Sequence, residues 1–146
     1  MNENKIKFKI VTPERTVFEN EIDQATLPTQ DGEITILPNH IPLISALKPG
    51  DLMIKKDGEE IDLAVSGGIV EVQNNEITIL ADTAERAEEI DLARAEEARK
   101  QAEDLKKEAV RMDDTEYAAT AAFLERNLAR IKVARKHLSR RGIKID

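Results

Sequence analysis

The chain has 146 residues, of which 40% are hydrophobic and 35% charged, and its formal net charge is −7. This length fits one domain with an appendage, or two small units. The sequence contains no cysteine, which excludes disulfide bonds, iron–sulfur clusters and thiolate zinc sites. Its two histidines, His40 and His137, are far apart, so no metal site is expected. No stretch approaches the roughly 18–20 apolar residues of a membrane span, and we expect a soluble chain without direct membrane insertion.

The first part of the chain is predicted to consist of short strands. Residues 5–10 alternate lysine with apolar side chains, the period-two pattern of a half-buried strand. Residues 52–65 and 69–80 each predict a hairpin, the first turning at Asp57-Gly58 and the second at Asn74-Asn75. The pattern predicts an antiparallel sandwich or barrel over residues 1–84 and leaves the choice between these two closures open.

From residue 85 onward the period changes to that of helices. The first stripe of small and apolar residues comprises Ala95, Ala98, Ala102, Leu105 and Ala109, and the second Tyr117, Ala121, Leu124, Leu128, Ile131 and Leu138. Asp113 and Glu116 between the stripes have the spacing of a capping box. We therefore predict a helix over about 86–111, a turn at about 112–115 and a helix over about 116–140, packed as an antiparallel hairpin.

The alanine content of the two stripes bears on how firmly the hairpin packs. Alanine favours helix formation, but each alanine forgoes about three buried carbons relative to leucine, at about 0.8 kcal/mol for each carbon. Such a hairpin suits an element that leaves one partner and docks on another. A permanently docked hairpin is the alternative.

The charges divide unevenly between these two parts. Residues 1–84 contain 7 Lys and Arg against 15 Asp and Glu, whereas residues 85–146 contain 15 against 14. Residues 126–144 contain eight basic side chains and no acidic one, which predicts an acidic protein surface or a polyphosphate ligand as partner. Nucleic acid is the less favoured alternative, because no aromatic residue interleaves with these cations and the rest of the chain is acidic.

Evidence for a catalytic site is weak. Ser66-Gly67-Gly68 lacks the other residues of a phosphate-binding glycine loop and is better explained as a tight connection between strands. His40 lies in a loop with no acid or nucleophile at a useful spacing, so a packing or contact role is favoured over that of a general base. No pair of carboxylates has a spacing typical of acid–base catalysis. We therefore expect a non-catalytic protein.

Four segments, in this order along the chain, closely resemble the epsilon subunit of the bacterial F-type ATP synthase. They are residues 32–43 (GEITILPNHIPL), 66–72 (SGGIVEV), 78–84 (TILADTA) and 90–95 (IDLARA). The resemblance implies an α+β fold in segregated parts: an N-terminal antiparallel β-sandwich over residues 1–84 and a C-terminal antiparallel two-helix hairpin over 85–146. It also implies a central-stalk rotor subunit of a proton-translocating enzyme, peripheral on the cytoplasmic face of the bacterial cell membrane.

The resemblance implies partners for both parts of the chain. In the family the sandwich sits against the gamma subunit and the c-ring, and the hairpin either folds onto the sandwich or extends into the catalytic head and blocks ATP hydrolysis. Asp31 is implied to touch the c subunits, and His40 is a further contact residue. The cations implied to meet an acidic segment of the beta subunit are Arg135, Lys136, Arg140 and Arg141. Thr35 and Asn39 stand where relatives usually carry glycine, a harmless change at Thr35 only if it lies in a regular strand.

The resemblance also implies a regulatory ATP site, although no cofactor is required. In some bacterial relatives an Ile/Leu-Asp-x-x-Arg-Ala motif binds ATP with help from an upstream acid and from arginines of the second helix. The matching residues here are Ile90, Asp91, Arg94 and Ala95, with Glu85 upstream and Arg126 and Arg130 on the second helix. Guanidinium groups suit phosphate oxygens. The alternatives are a helix cap with a weak ion pair between Asp91 and Arg94, and a structural coupling adaptor that does not sense nucleotide.

Overall fold

A computed structural model describes residues 4–108 and 113–142 of the chain. The strands are β1 Ile6–Val11, β2 Thr16–Ile22, β3 Gln24–Thr29, β4 Gly32–Ile36, β5 Leu43–Leu47, β6 Gly50–Lys56, β7 Glu59–Val65, β8 Gly68–Gln73, β9 Glu76–Ala81 and β10 Ala84–Arg86. A 3₁₀ turn, Ala87–Glu89, leads into the helices α1 Leu92–Lys107 and α2 Asp114–Arg140. No helix in these described ranges has the length and apolar content that crossing a membrane requires.

The ten strands form one folded-over sheet in the order β10-β7-β6-β3-β5-β8-β9-β1-β2, with β4 paired to β3. The predicted antiparallel sandwich is confirmed, with one difference. β1 and β9 pair in parallel, Phe8 opposite Ile77, while every other pairing recorded among the described strands is antiparallel. No short turn joins β1 to β9, so local chain geometry does not impose an antiparallel register on them.

The period-two pattern places the core between the folded halves of the sheet. Ile6, Phe8 and Ile10 of β1 are fully or almost fully buried, whereas Lys7 between them is exposed. They pack with aliphatic side chains of the other strands, among them Leu27, Leu52 and Ile79. Phe8 and Phe18 meet edge to face with ring centroids 5.8 Å apart. The core is thus aliphatic with a single aromatic pair among the described residues, as the small aromatic content leads one to expect.

Both predicted hairpin turns are present. Asp57 and Gly58 have φ values of 51° and 82°, and Asn74 and Asn75 have values of 51° and 58°. These left-handed conformations match the right-handed twist of the strands on either side, and Gly, Asn and Asp adopt them most readily. Register follows from the turns, since β6–β7 and β8–β9 then pair along their whole lengths.

The predicted start of the first helix, at about residue 86, is wrong. Residues 84–86 form β10, which pairs with β7, and α1 begins only at Leu92 after the 3₁₀ turn. A bidentate ion pair from Arg15 of the sandwich to Glu89, 2.7 and 3.0 Å long, fastens this connection. The predicted end of the helix, about 111, lies outside the described residues, as does Ala109. α2 begins at Asp114, two residues before the predicted position, and ends at Arg140 as predicted.

The two helices run antiparallel, as contacts near both ends show. Arg135 pairs with Glu96, and the Lys106 ammonium lies 5.5 Å from the centre of the Tyr117 ring. Residues 95 and 102 of the first predicted stripe are fully buried alanines, while Leu105 is exposed. The second stripe is only partly right: Ile131 is buried, but Leu128 is exposed and the remaining buried residues of α2 are Asn127, Ala129, Val133 and Ala134. The buried face of α2 is rotated because this helix packs on β6 and β7 as well as on α1.

Candidate functional site

The contact between α2 and the sandwich is built on the outer face of β6 and β7. Because side chains alternate along a strand, Asp51 and Met53 of β6 lie on the same face as Asp62 and Ala64 of β7, opposite to the core residues between them. Val133 of α2 is fully buried and packs with Ala64, Ala87 and the partly buried Ile90. We call these four residues the docking cluster. It is small, so the apolar part of the attachment is weak compared with the core of the sandwich.

Beside the docking cluster lies a group of charges that we call the ion cluster: Asp51, Glu60, Asp62, Lys136 and Arg140. The Lys136 ammonium lies 2.9 Å from Oδ2 of Asp51 and 3.1 Å from Oδ1 of Asp62. Arg140 donates to Asp62 and pairs with Glu60. The two aspartate side chains are 4% and 0% exposed, so their charges depend on these partners.

The ion cluster shifts the pKa of its members in different directions. Burial raises the pKa of Asp51 to about 6, and the hydrogen bond from Lys136 offsets only part of this effect. Burial also acts to raise the pKa of Asp62, but hydrogen bonds from Arg140 and Lys136, together with the neighbouring Asp51, outweigh it and the pKa is lowered. For Lys136, burial is outweighed by Asp51 and Asp62, so its pKa is raised.

A second feature is a cavity of about 290 Å³ between the sandwich and α2, lined by Arg15, Thr83, Glu85 and Arg126 among others. At its edge Arg130 Nε lies 3.0 Å from Glu85 Oε1, and Arg130 also donates to Asn127 Oδ1 at 3.2 Å. Arg126 Nε is buried and donates no hydrogen bond within the described residues. Of the three guanidinium groups at the cavity, Arg126 thus has spare donor capacity, whereas Arg130 is paired with Glu85 and Arg15 with Glu89.

The seven residues predicted for ATP binding divide into two groups. Glu85, Arg126 and Arg130 meet at the cavity. The four residues of the motif at 90–95 do not line it. Asp91 Oδ1 instead caps α1 by accepting from the Arg94 backbone N–H at 3.1 Å, and both of these residues are exposed. Ile90 belongs to the docking cluster, and Ala95 is buried in α1.

Some of the residues predicted for partner contacts already form ion pairs within the chain, and others do not. Asp31 lies exposed in the β3–β4 turn, and His40 follows β4 with Nδ1 2.7 Å from the Ile41 carbonyl oxygen. Of the four cations expected to meet the beta subunit, Arg141 is exposed. The other three form ion pairs within the chain: Arg135 with Glu96, and Lys136 and Arg140 in the ion cluster.

The structure accommodates both residues that stand where relatives usually carry glycine. Thr35 lies in the regular strand β4 opposite Thr26, and their hydroxyl oxygens are 3.0 Å apart. The threonine is therefore harmless there. Asn39 has a φ of 64°, a conformation that asparagine tolerates.

Asp51, Asp62 and Val133 were not predicted as functional residues from the sequence. A partial signal was present: the period-two pattern of the predicted hairpin at 52–65, continued back by one residue, places Asp51 and Asp62 on its outer face, and the second helix is rich in cations. The pattern does not predict which face of the helix contacts which strands, because that contact joins residues more than 70 positions apart.

An exposed apolar face lies elsewhere on the sandwich. Ile44 of β5, Ile69 of β8 and Leu80 of β9 are 73%, 53% and 57% exposed. β8 lies between β5 and β9, and Ile69 is directly opposite both Ala46 and Leu80. A contiguous group of exposed large apolar side chains on neighbouring strands is typical of an interaction surface. We call Ile44, Ala46, Ile69 and Leu80 the exposed apolar face.

Comparisons with known proteins agree with this architecture. Residues 5–87 match the family model of the beta-sandwich domain of the ATP synthase delta/epsilon chain. The ATP synthase epsilon chain of Dehalococcoides mccartyi is 48% identical over 132 residues, which cover 90% of this chain and 94% of the relative. That of Chloroflexus aggregans is 46% identical over 136 residues, covering 93% and 96%.

Solved structures show the same fold. A chain of the Euglena gracilis mitochondrial ATP synthase, from a structure of its OSCP/F1/c-ring, superposes with a TM-score of 0.77 at 21% identity, over 90% of this chain and 81% of that one. A chain of the Tetrahymena thermophila enzyme, from a structure of its central stalk and c-ring, gives 0.51 at 17% identity, over 94% and 98%. A sandwich with a docked two-helix hairpin, together with identity near one half along almost the whole length of several relatives, establishes that this chain belongs to the epsilon chain family of ATP synthase.

Proposed function

We propose that this chain is a rotor subunit of a proton-translocating ATP synthase, which couples the catalytic head to the c-ring and restrains ATP hydrolysis through its hairpin. It performs no chemistry itself and works at the cytoplasmic face of the bacterial membrane as a peripheral component. The proposal rests on family membership and on one structural observation: α2 attaches to the sandwich through a small docking cluster and an ion cluster, a joint that can open without exposing the core.

The sandwich has the surfaces that a coupling element needs. The exposed apolar face suits a stable apolar contact, which we assign to the gamma subunit. Asp31 and His40 lie in the loops before and after β4, and we assign these loops to the c-ring. A closed sandwich with a continuous apolar core is rigid enough to transmit torque between two such contacts.

The ion pairs of α2 support the proposal that one set of cations serves two states. In the docked state Lys136 and Arg140 bind acids of β6 and β7, and Arg135 binds Glu96 of α1. When the hairpin extends, the sandwich no longer neutralises Lys136 and Arg140, and an acidic segment of the beta subunit takes its place. Exchange of one set of acids for another keeps the two states within a few kcal/mol of each other.

ATP is the regulatory ligand that we propose for the docked state. Arg126, whose Nε has no hydrogen-bond partner in the described part of the chain, offers a phosphate contact beside Glu85 and Arg15 in the cavity. The Arg130 guanidinium group becomes available once Glu85 moves toward the sugar or base. The exposed cap at Asp91 and Arg94 then closes on the nucleotide from α1.

A structural adaptor that does not sense nucleotide is the second candidate, and one observation favours it. The Glu85–Arg130 ion pair already satisfies the arginine that would hold a phosphate, and Asn127 supplies a further acceptor. A titration separates the two functions: amide NMR of the isolated chain is followed as ATP is added to millimolar concentration. Shifts at Arg126, Arg130 and Asp91 support the ATP site, and an unchanged spectrum supports the adaptor.

Truncation tests the regulatory role. The chain is ended after Glu89 so that β10 and the ion pair from Arg15 remain in place. We expect the truncated chain to assemble with gamma and to leave ATP hydrolysis of the reconstituted head less restrained than the full chain does. The control is Ile69→Asp in the full chain, which places a charge on the exposed apolar face and should weaken assembly. Equal hydrolysis with the full and truncated chains would refute the regulatory role.

A further inference from the structure

The ion cluster contains more acids than bases. Asp51, Glu60 and Asp62 of the sandwich face Lys136 and Arg140 of α2, so three carboxylates share two permanent cations. Two of the carboxylates are almost completely enclosed by sheet and helix. An uncompensated charge in such a place is costly, and a buried carboxylate commonly relieves the cost by taking up a proton.

The excess charge belongs to Asp51. Its Oδ2 accepts from Lys136, whereas its Oδ1 is buried and has no hydrogen-bond partner among the described residues. Asp62, in contrast, receives hydrogen bonds on both oxygens, from Lys136 and from Arg140. Asp51 and Asp62 are diagonal neighbours on the same face of β6 and β7, and both contact the Lys136 ammonium, so Asp62 offers a nearby acceptor to a protonated Asp51.

A cavity lies beside Asp51. Asp51 lines a cavity of about 410 Å³ between the sandwich and α2, large enough for several water molecules. The other charged groups that line the cavity are Glu33 and Lys48 from the sandwich and Glu125 and Lys132 from α2. Their charges cancel in number, so they leave the excess of the ion cluster unchanged.

We propose that docking of the hairpin creates a proton-binding site at Asp51, so that the hairpin docks more strongly when the surroundings become mildly acidic. The proton occupies the place of a third cation in the ion cluster and is held between Asp51 and Asp62. This inference concerns how the switch under the proposed function is regulated and rests on that function for its consequence. The proton site itself requires only the docked hairpin.

The direction of the pH dependence follows from which state binds the proton more tightly. Burial in the docked state raises the pKa of Asp51 from an ordinary value of 3.8 to about 6. A raised pKa means that the docked state binds the proton more tightly, so docking strengthens as the pH falls through 6. With these two values the docking equilibrium constant increases about tenfold between pH 7.5 and pH 5.0.

Two measurements on the full-length chain test the proposal. The ¹³C shift of the Asp51 carboxyl carbon, assigned by its loss in Asp51→Asn, should titrate near pH 6; a midpoint at or below 4 would overturn the proposal. Spin labels on Glu59→Cys and Ser139→Cys, both exposed positions in a chain without native cysteine, report the docked fraction. We expect that fraction to rise on acidification, and a fall would equally overturn the proposal.

Matched variants assign the effect to one carboxyl group. Asp51→Asn imitates the protonated form, so the label distances should show a docked hairpin at pH 7.5 and no pH dependence down to pH 5. Glu125→Gln removes a carboxylate from the same cavity and should keep the wild-type pH dependence. Persistence of the pH dependence in Asp51→Asn would overturn the proposal. A hairpin docked at every pH, with Asp51 still titrating near 6, supports the proton site and refutes the mobile hairpin of the proposed function.

Discussion

Val133→Ala tests whether the docking cluster holds the hairpin down. Val133 is fully buried against Ala64, Ala87 and Ile90, and the substitution removes two carbons from this contact. At about 0.8 kcal/mol for each carbon, docking loses about 1.6 kcal/mol, which lowers the ratio of docked to undocked hairpin about 14-fold. Alanine is the better helix former, but α2 stays helical in both states, so this gain cancels in the docking equilibrium.

The spin-label pair at positions 59 and 139 measures this ratio directly. Leu105→Ala is the control, because it removes three carbons from an exposed position at the far end of the hairpin and should leave the ratio nearly unchanged. In the reconstituted enzyme, Val133→Ala should restrain ATP hydrolysis more strongly than the wild type, since more hairpins are free to extend. An unaltered ratio for Val133→Ala, or an equal loss for Leu105→Ala, would refute the idea that this small cluster controls docking.

Three further outcomes are expected. Gly68→Ala should destabilise the sandwich by about 3 kcal/mol in thermal unfolding, because a Cβ at φ +141° would lie 2.1 Å from the Leu80 carbonyl oxygen; a variant as stable as the wild type would contradict this geometry. Asp91→Ala should cost α1 about 1 kcal/mol as a lost N-cap, seen as reduced helicity without ATP, whereas Asp91→Asn keeps the cap and the helicity. The lowered pKa of Asp62 predicts that its contribution to docking is complete at neutral pH and declines only as the pH falls below its ordinary value of 3.8; in Asp51→Asn, where the titration of Asp51 is absent, label distances should show no release between pH 7.5 and pH 5, and release already in that range would contradict this assignment.

Local signals account for most of what could be predicted of the sandwich. Alternation along residues 5–10 and the turns at Asp57-Gly58 and Asn74-Asn75 act within a few residues of each other, and the structure contains the strands and hairpins they predict. The parallel partner of β1 could not be predicted in this way. Its pairing with β9 depends on how the whole sheet closes, which the sequence of a single strand does not determine.

At the start of the first helix, the helix propensity of the local sequence predicts the wrong element. Residues 84–86, Ala-Glu-Arg, favour a helix by composition, yet they form a strand because Ala84 pairs with Val65 and is buried in the core of the sandwich. Tertiary pairing overrides a propensity of a few tenths of a kcal/mol per residue without difficulty.

Some residues of the candidate site could likewise be predicted from the sequence, and others could not. The resemblance brought Glu85, Arg126 and Arg130 to notice, and the structure does bring these three together. Asp91 and Arg94 matched the same motif but serve α1 as a cap in this conformation. The ion cluster joins strands and helix across more than 70 positions, so its members could be found only once the fold placed them side by side.

The parallel pairing of β1 with β9 has a consequence for how the chain is made. Residues 7–11 pair with residues 76–80, so the sheet cannot close until that distant segment has been synthesised. After β2 is complete at Ile22, another 58 residues must be added to reach Leu80, which takes roughly 3–12 s at 5–20 residues per second. Throughout that interval the hairpin of β1 and β2 presents an unpaired edge to the cell. The time during which a nascent chain is open to strand addition from a neighbour is therefore determined by one ladder of hydrogen bonds.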